Sequence, residues 1–226
     1  MMKIPAIKEL RRLRSPTITP QALAWDRETL WLSSRDLGTL YKIDPPSPGY
    51  GPASIAEWKI IDEIDPPGVV WAAVATNGAM HLTIGKGLND DRYVYRYSGG
   101  DFSKLFACPD FTGSYLSYDG EHLYLSQWYE KRILKYDENG NIIRKIDIGA
   151  EICGHTFVDG LIYVLRGEEK PNEDWRIARL DPRQETPEVQ DLPRIPFACR
   201  SLTFDGERFW TNHRAANETV SFALPS

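Results

Sequence analysis

Two of the four histidines in the 226-residue chain, His155 and His213, sit where proton transfer near neutral pH would need them. Glu168, or alternatively Glu151, would orient such an imidazole. Arg200 offers the planar fork of donors that clamps a carboxylate or phosphate, and Arg35, Lys86, Arg166 and Arg214 add positive charge from other parts of the chain. Trp71, Trp128 and Tyr129 would supply apolar walls, and Gln21 a polar contact. The constellation predicts acid–base chemistry on a small polar or anionic metabolite: His155, His213 and Glu168 as catalytic groups, with Arg200, Arg35, Arg166, Lys86, Trp71, Trp128 and Gln21 binding substrate. A lyase, cyclase or hydrolase reaction fits it. Each residue also has a plainer reading. Arg200 would form an ion pair with an acid such as Glu151, a lone histidine would be structural, and Cys153 and Cys199 would be small buried residues and not nucleophiles.

The elements that must carry these residues follow from a repeated phrase. An apolar run, an Asp or Asn turn and a second apolar run with an aromatic recur around Asp26, Asn77, Asp119, Asp159 and Asp205, at spacings of 40 to 51 residues. Such a period with several short strands per repeat is the pattern of β-propeller blades. The expected fold is an all-β, five-bladed propeller of four-stranded blades, one domain over residues 1–226, with blades at about 21–65, 71–109, 114–149, 153–193 and 199–226. The last repeat lacks an outer strand, and residues 4–13 belong to no other blade. Those residues are expected to pair with 219–224 and close the ring, although their apolar spacing also fits a short amphipathic helix.

In such a ring, ligands bind at one mouth of the axial channel, where two sets of loops converge. The loops leading into the inner strands are residues 15–21, 66–72, 110–114, 150–154 and 196–200; those joining second and third strands are 33–38, 85–92, 127–131, 166–175 and 212–217. Aligned on the turns, Gln21, Ala72, Ser114, Gly154 and Arg200 are equivalent, and His155 matches Ala22, Ala73, Tyr115 and Ser201. Repeats need similar residues at packing sites, so departures such as Arg200 and His155 point to function. By the same logic Trp31, His81, Tyr124, Tyr163 and Trp210, which share one register, are expected to pack between blades.

The segments Trp25-Asp26 with Leu30-Trp31-Leu32-Ser33 and Tyr41-Lys42-Ile43-Asp44, and Phe204-Asp205-Gly206 with Phe209-Trp210, resemble blades of the glutamine-cyclotransferase-like and streptogramin-lyase-like propellers. The resemblance implies the five-bladed fold. The Phe-Thr-Gln-Gly opening of plant-type glutaminyl cyclases has its nearest counterpart in Pro20-Gln21-Ala22-Leu23, so Gln21 is the one residue carried over; their Tyr-Glu-Ser-Thr-Gly segment and the metal-binding Glu-Gly-Pro of gluconolactonases have no counterpart.

Composition narrows the partners. A net charge of −5 and a pI near 5.5 argue against a broad nucleic-acid surface. No apolar run approaches the length of a membrane span, the N-terminus lacks a secretory signal's apolar core, and three cysteines make no disulfide framework, so a cytoplasmic monomer is expected. No nucleotide-binding or metal motif is present; Asn89-Asp90-Asp91 and Glu168-Glu169 lack the ligand spacing of a calcium loop, so no cofactor or metal is expected. The competing function is a non-catalytic propeller that binds a ligand or protein at the same mouth.

Overall fold

The structure is a computed structural model that describes residues 5–44, 58–87, 91–170 and 173–224. It consists of five four-stranded antiparallel sheets arranged as propeller blades. Chain order begins with β1 (Lys8–Arg14). Blade one is β2 (Pro20–Trp25), β3 (Leu30–Ser34), β4 (Leu40–Asp44) and β5 (Lys59–Ile64). Blade two is β6 (Val69–Thr76), β7 (Ala79–Gly85), β8 (Tyr93–Ser98) and β9 (Asp101–Ala107). Blade three is β10 (Leu116–Tyr118), β11 (Leu123–Gln127), β12 (Arg132–Tyr136) and β13 (Ile142–Asp147). Blade four is β14 (Glu151–Val158), β15 (Leu161–Glu168), β16 (Asp174–Leu180) and β17 (Gln190–Ile195). Blade five is β18 (Cys199–Phe204), β19 (Phe209–His213), β20 (Glu218–Ala223) and, from the other end of the chain, β1.

In every blade the outer strand is the most exposed. The second strand β3 is buried at all five positions, because both faces lie against other blades, whereas the outer strands β1, β5 and β9 are mostly exposed. The inner strands β2, β6, β10, β14 and β18 pack in sequence, and β18 returns to β2 to complete the ring.

Closure uses the N-terminal segment as a strand and not as a helix. β1 pairs antiparallel with β20 from Lys8 opposite Ala223 to Arg14 opposite Glu218, satisfying the edge that β20 would otherwise expose. Just before it, Ile7 N–H donates to the Arg194 carbonyl at 3.0 Å and Arg194 N–H to the Pro5 carbonyl at 2.8 Å, which ties the same segment to blade four. Among the described residues no helix is long and apolar enough to cross a membrane.

At one end of the ring, three of the turns between first and second strands share a device. Asp26 accepts from the backbone N–H groups of Glu28 and Thr29 and from the Trp31 indole at 2.7 Å. Asp119 and Asp205 repeat it, with Tyr124 and Trp210 as side-chain donors at 3.0 and 2.7 Å. These are Asx turns whose second oxygen fixes the packing aromatic. Blade two substitutes Thr76 and His81, whose Oγ1 and Nδ1 lie 3.1 Å apart. Burial pushes the His81 pKa down to about 4.

Candidate functional site

The other end of the ring is built on irregular backbone. Four inner strands slip register there: between Pro20 and Leu23, Val70 and Ala72, Ile152 and Gly154, and Arg200 and Thr203. A β-bulge re-aims the side chains beside it. Gln21 and Trp71 fall within two of these bulges. Arg200 stands at the edge of a third, followed by Ser201 at φ 63°.

Gln21, Trp71 and Arg200 together border a cavity of about 280 Å³ at the channel mouth. Gln21, Tyr115 and Arg200 come from blades one, three and five, and all are at most 3% exposed. Gln21 joins the cavity's sides: its Nε2 donates to the Trp71 carbonyl at 3.1 Å and approaches the Tyr115 hydroxyl at 3.4 Å, and its Oε1 accepts from Arg214 Nη1 at 2.7 Å. Burial pushes the Tyr115 phenol up to about 12, so it stays neutral and able to donate.

The cationic groups of the cavity differ in how they are held. Arg200 donates to the Cys199 carbonyl at 2.7 Å and to Glu169 at 2.8 Å, meets Glu173 at 3.3 Å, and stacks on Trp128 and Trp175. Burial opposes its charge, but its surroundings, with the Glu173 carboxylate among them, more than restore it and raise its pKa. Arg92 lies 4.0 Å above the Trp71 ring and donates to the Gly113 carbonyl at 2.7 Å. Arg214 has no carboxylate within ion-pairing distance among the described residues, and its side-chain hydrogen bond is to neutral Gln21. Burial lowers its pKa, and with the charges of Arg200 and Arg35 it outweighs the opposing pull of Tyr115 and of the Glu169 carboxylate across the cavity. A guanidinium remains charged regardless, so an anion beside Arg214 would be favoured. The indole N–H groups of Trp71 and Trp128 are also buried without an acceptor among the described residues. Carboxylates reach the cavity through Asp110, Glu130 and Glu169.

No protein-family model matches the chain, and no curated protein matches it with significance. Solved structures do match. The glutaminyl cyclase of Myxococcus xanthus superposes with a TM-score of 0.67 over 97% of this chain and 98% of its own, at 13% identity. A gluconolactonase of Xanthomonas campestris gives 0.63 over 99% and 86%, at 10% identity. A luciferin-regenerating enzyme gives 0.61 over 98% and 95%, at 14% identity. The likeness is one of fold. The chain is a five-bladed propeller whose structural neighbours include propeller enzymes, and identities this low carry no residue roles.

Of the residues singled out from the sequence, Gln21, Trp71, Trp128, Tyr129, Arg200 and Arg214 border the cavity. The others lie elsewhere. Arg35 is paired with Asp36 at 2.9 Å on the rim, and Lys86 is exposed. Arg166 is held by Asp191 of blade four at 2.8 Å and by the carbonyl of Ile148, which follows the outer strand of blade three. Glu168 is the exposed last residue of β15; its neighbour Glu169 takes the place beside Arg200. Glu151 accepts from the Glu169 backbone N–H at 2.8 Å, so it positions the Glu169 loop and is not the partner of Arg200. Asn89 and Asp90 lie outside the described residues. Among those described, no three His, Cys, Asp or Glu side chains are grouped to hold a metal.

The two histidines are not brought to one place. His155 is 1% exposed; its Nε2 faces the Tyr115 carbonyl at 3.1 Å and must carry the proton, leaving Nδ1 to accept from Ser117 Oγ at 2.7 Å. Burial lowers its pKa to about 4. His213 lies against Phe197, Arg12 and Glu218 at the seam with β1. The rings share no partner among the described residues, and neither borders the cavity. At the His155 register the sequence displays a polar side chain but not the contacts it makes. Its equivalent in blade five, Ser201, also bonds across a blade seam, receiving the Leu23 N–H at 3.0 Å, so a polar group there stitches inner strands together. Tyr115, Arg92 and Glu169 are among the cavity residues that the sequence did not single out. Tyr115 was visible as the largest side chain at that same register.

Proposed function

We propose that the protein is an enzyme acting on a small metabolite with a carboxylate, or comparable anion, on a flat apolar body, bound at the channel mouth. Arg214 takes the anion, Gln21 and Tyr115 orient it, and Trp71 and Trp128 cover the apolar part. The reaction class is a lyase, cyclase or hydrolase step in which Glu169, held by Arg200 and by the Glu151 contact to its backbone, is the base. The observation that carries this reading is Arg214: a cavity-lining guanidinium, largely removed from water, with no carboxylate partner among the described residues.

The matched pair benzoate and benzamide tests the ligand class. Benzoate is expected to raise the melting temperature saturably while benzamide does not, because only a ligand bound to the native state stabilises it. Equal responses, or none to benzoate, contradict the anion subsite. A non-catalytic binding propeller is favoured by one observation, the engagement of Glu169 with Arg200 at 2.8 Å, which leaves the base less free. Turnover distinguishes the two: in the enzyme reading Glu169→Gln lowers kcat by about 10² or more.

A further inference from the structure

Two sulfur atoms meet at the seam between blades four and five. Cys153 and Cys199 lie in the inner strands β14 and β18, 46 residues apart in sequence, with their Sγ atoms 3.3 Å apart and neither side chain exposed. The approach is built by the backbone. Cys153 is the bulged residue of β14, and the glycine after it has room for no side chain: a Cβ at Gly154 would stand 2.6 Å from the carbonyl carbon of Ser201. That missing atom lets β14 and β18 run close enough for the thiols to touch. The third cysteine, Cys108, is buried elsewhere, against Gly113 in blade three, and serves as an internal control.

We propose that Cys153 and Cys199 are a redox pair that closes to a disulfide across this seam, covalently joining two blades and anchoring the strand that carries Arg200. The sulfurs need to approach by only about 1.3 Å to reach an S–S bond of about 2.0 Å. Arg200 is tied to the same point, since its Nη1 donates to the Cys199 carbonyl at 2.7 Å. The oxidant is a small-molecule disulfide. Its S–S bond breaks as the Sγ–Sγ bond forms, the protein dithiol gives up two electrons, and the two cysteine protons leave with the two small thiols released. Burial, followed by the Cys199 sulfur alongside, raises the Cys153 pKa, so exchange in the folded protein is slow and proceeds through opening of the seam. The inference does not depend on what the cavity binds.

The test refolds the full chain from denaturant in oxidised and reduced glutathione, so that access to the seam does not limit exchange. Free thiols counted in denaturant should fall from three to one, and peptide mapping should join Cys153 to Cys199. A cross-link over 46 residues constrains the unfolded chain, so the melting temperature should rise by about 5–10 °C and return on reduction with dithiothreitol. Cys108→Ala should go from two thiols to none with the same rise, whereas Cys153→Ala should keep two thiols and show no rise. The first of these variants decides the matter even where the second folds poorly. Three thiols remaining in the wild type, a link through Cys108 or between chains, or a bond that fails to raise the melting temperature would each overturn the proposal.

Discussion

The two ends of the propeller solve different problems with the same strands. At the turn end, Asp26, Asp119 and Asp205 repeat one hydrogen-bond set, each capping its own turn and fixing its own aromatic. At the bulged end, one register carries Gln21, Gly154 and Arg200 in blades one, four and five, and Trp71, Glu169 and Arg214 join the cavity from positions that other blades do not repeat. Space alone does not separate them. The cavity at the turn end is the larger, about 660 Å³ against about 280 Å³, yet the aspartates bordering it already have their donors. Where repeats agree, the side chains hold blades together; where they diverge and leave Arg214 with no carboxylate at ion-pairing distance among the described residues, a ligand has something to bind.

Mutations that break the repeated features should cost stability and spare the mouth. The largest effect is expected from deleting residues 1–13, which strips β1 and uncovers Val220 and Phe222, both fully buried. The melting temperature should fall by about 10 °C or more, and an unchanged melt would contradict closure by β1. Asp26→Ala removes the acceptor of two backbone N–H groups and of the Trp31 indole, for a loss of about 2–4 kcal/mol by chemical denaturation, with benzoate affinity of the folded protein retained.

Acid should act next. The folded-state pKa of His155 lies at about 4, below its ordinary value of 6.5, so its contribution is present above pH 6.5 and is lost as pH falls toward 4. Between neutral pH and pH 5 that amounts to about 2 kcal/mol, to be read from denaturation midpoints; a His155→Gln variant should lose that part of the slope. The smallest effect belongs to the rim. Arg35→Ala should change benzoate affinity by less than about threefold, since a partly exposed charge already paired with Asp36 is largely offset and screened by solvent.

This division explains what could be read from the sequence. Strand period, Asp turns and the unassigned first segment are local or repeating features, so five blades and their closure were legible in them. The mouth was legible only in part. Gln21, Trp71, Trp128 and Arg200 were found because loop position and departure from the repeat mark them. That Glu169 and not Glu168 borders the cavity was not legible, because a one-residue difference at a strand end decides which carboxylate turns inward, and no periodicity continues into that loop. The seam contact between His155 and Ser117 was not legible, because it depends on which residues the neighbouring blade presents, and a single repeat does not display that.

The most direct test of the account is benzoate titration of the wild type, Arg214→Gln and Asp26→Ala, with affinity and unfolding free energy measured on the same samples. Arg214→Gln should weaken benzoate about 10- to 100-fold, the worth of a charge-assisted hydrogen bond, while its unfolding free energy stays within about 1 kcal/mol of the wild type. Asp26→Ala should do the reverse. If Arg214→Gln binds benzoate as tightly as the wild type, or if Asp26→Ala loses binding while folded, the separation of scaffold and ligand chemistry between the two ends is wrong.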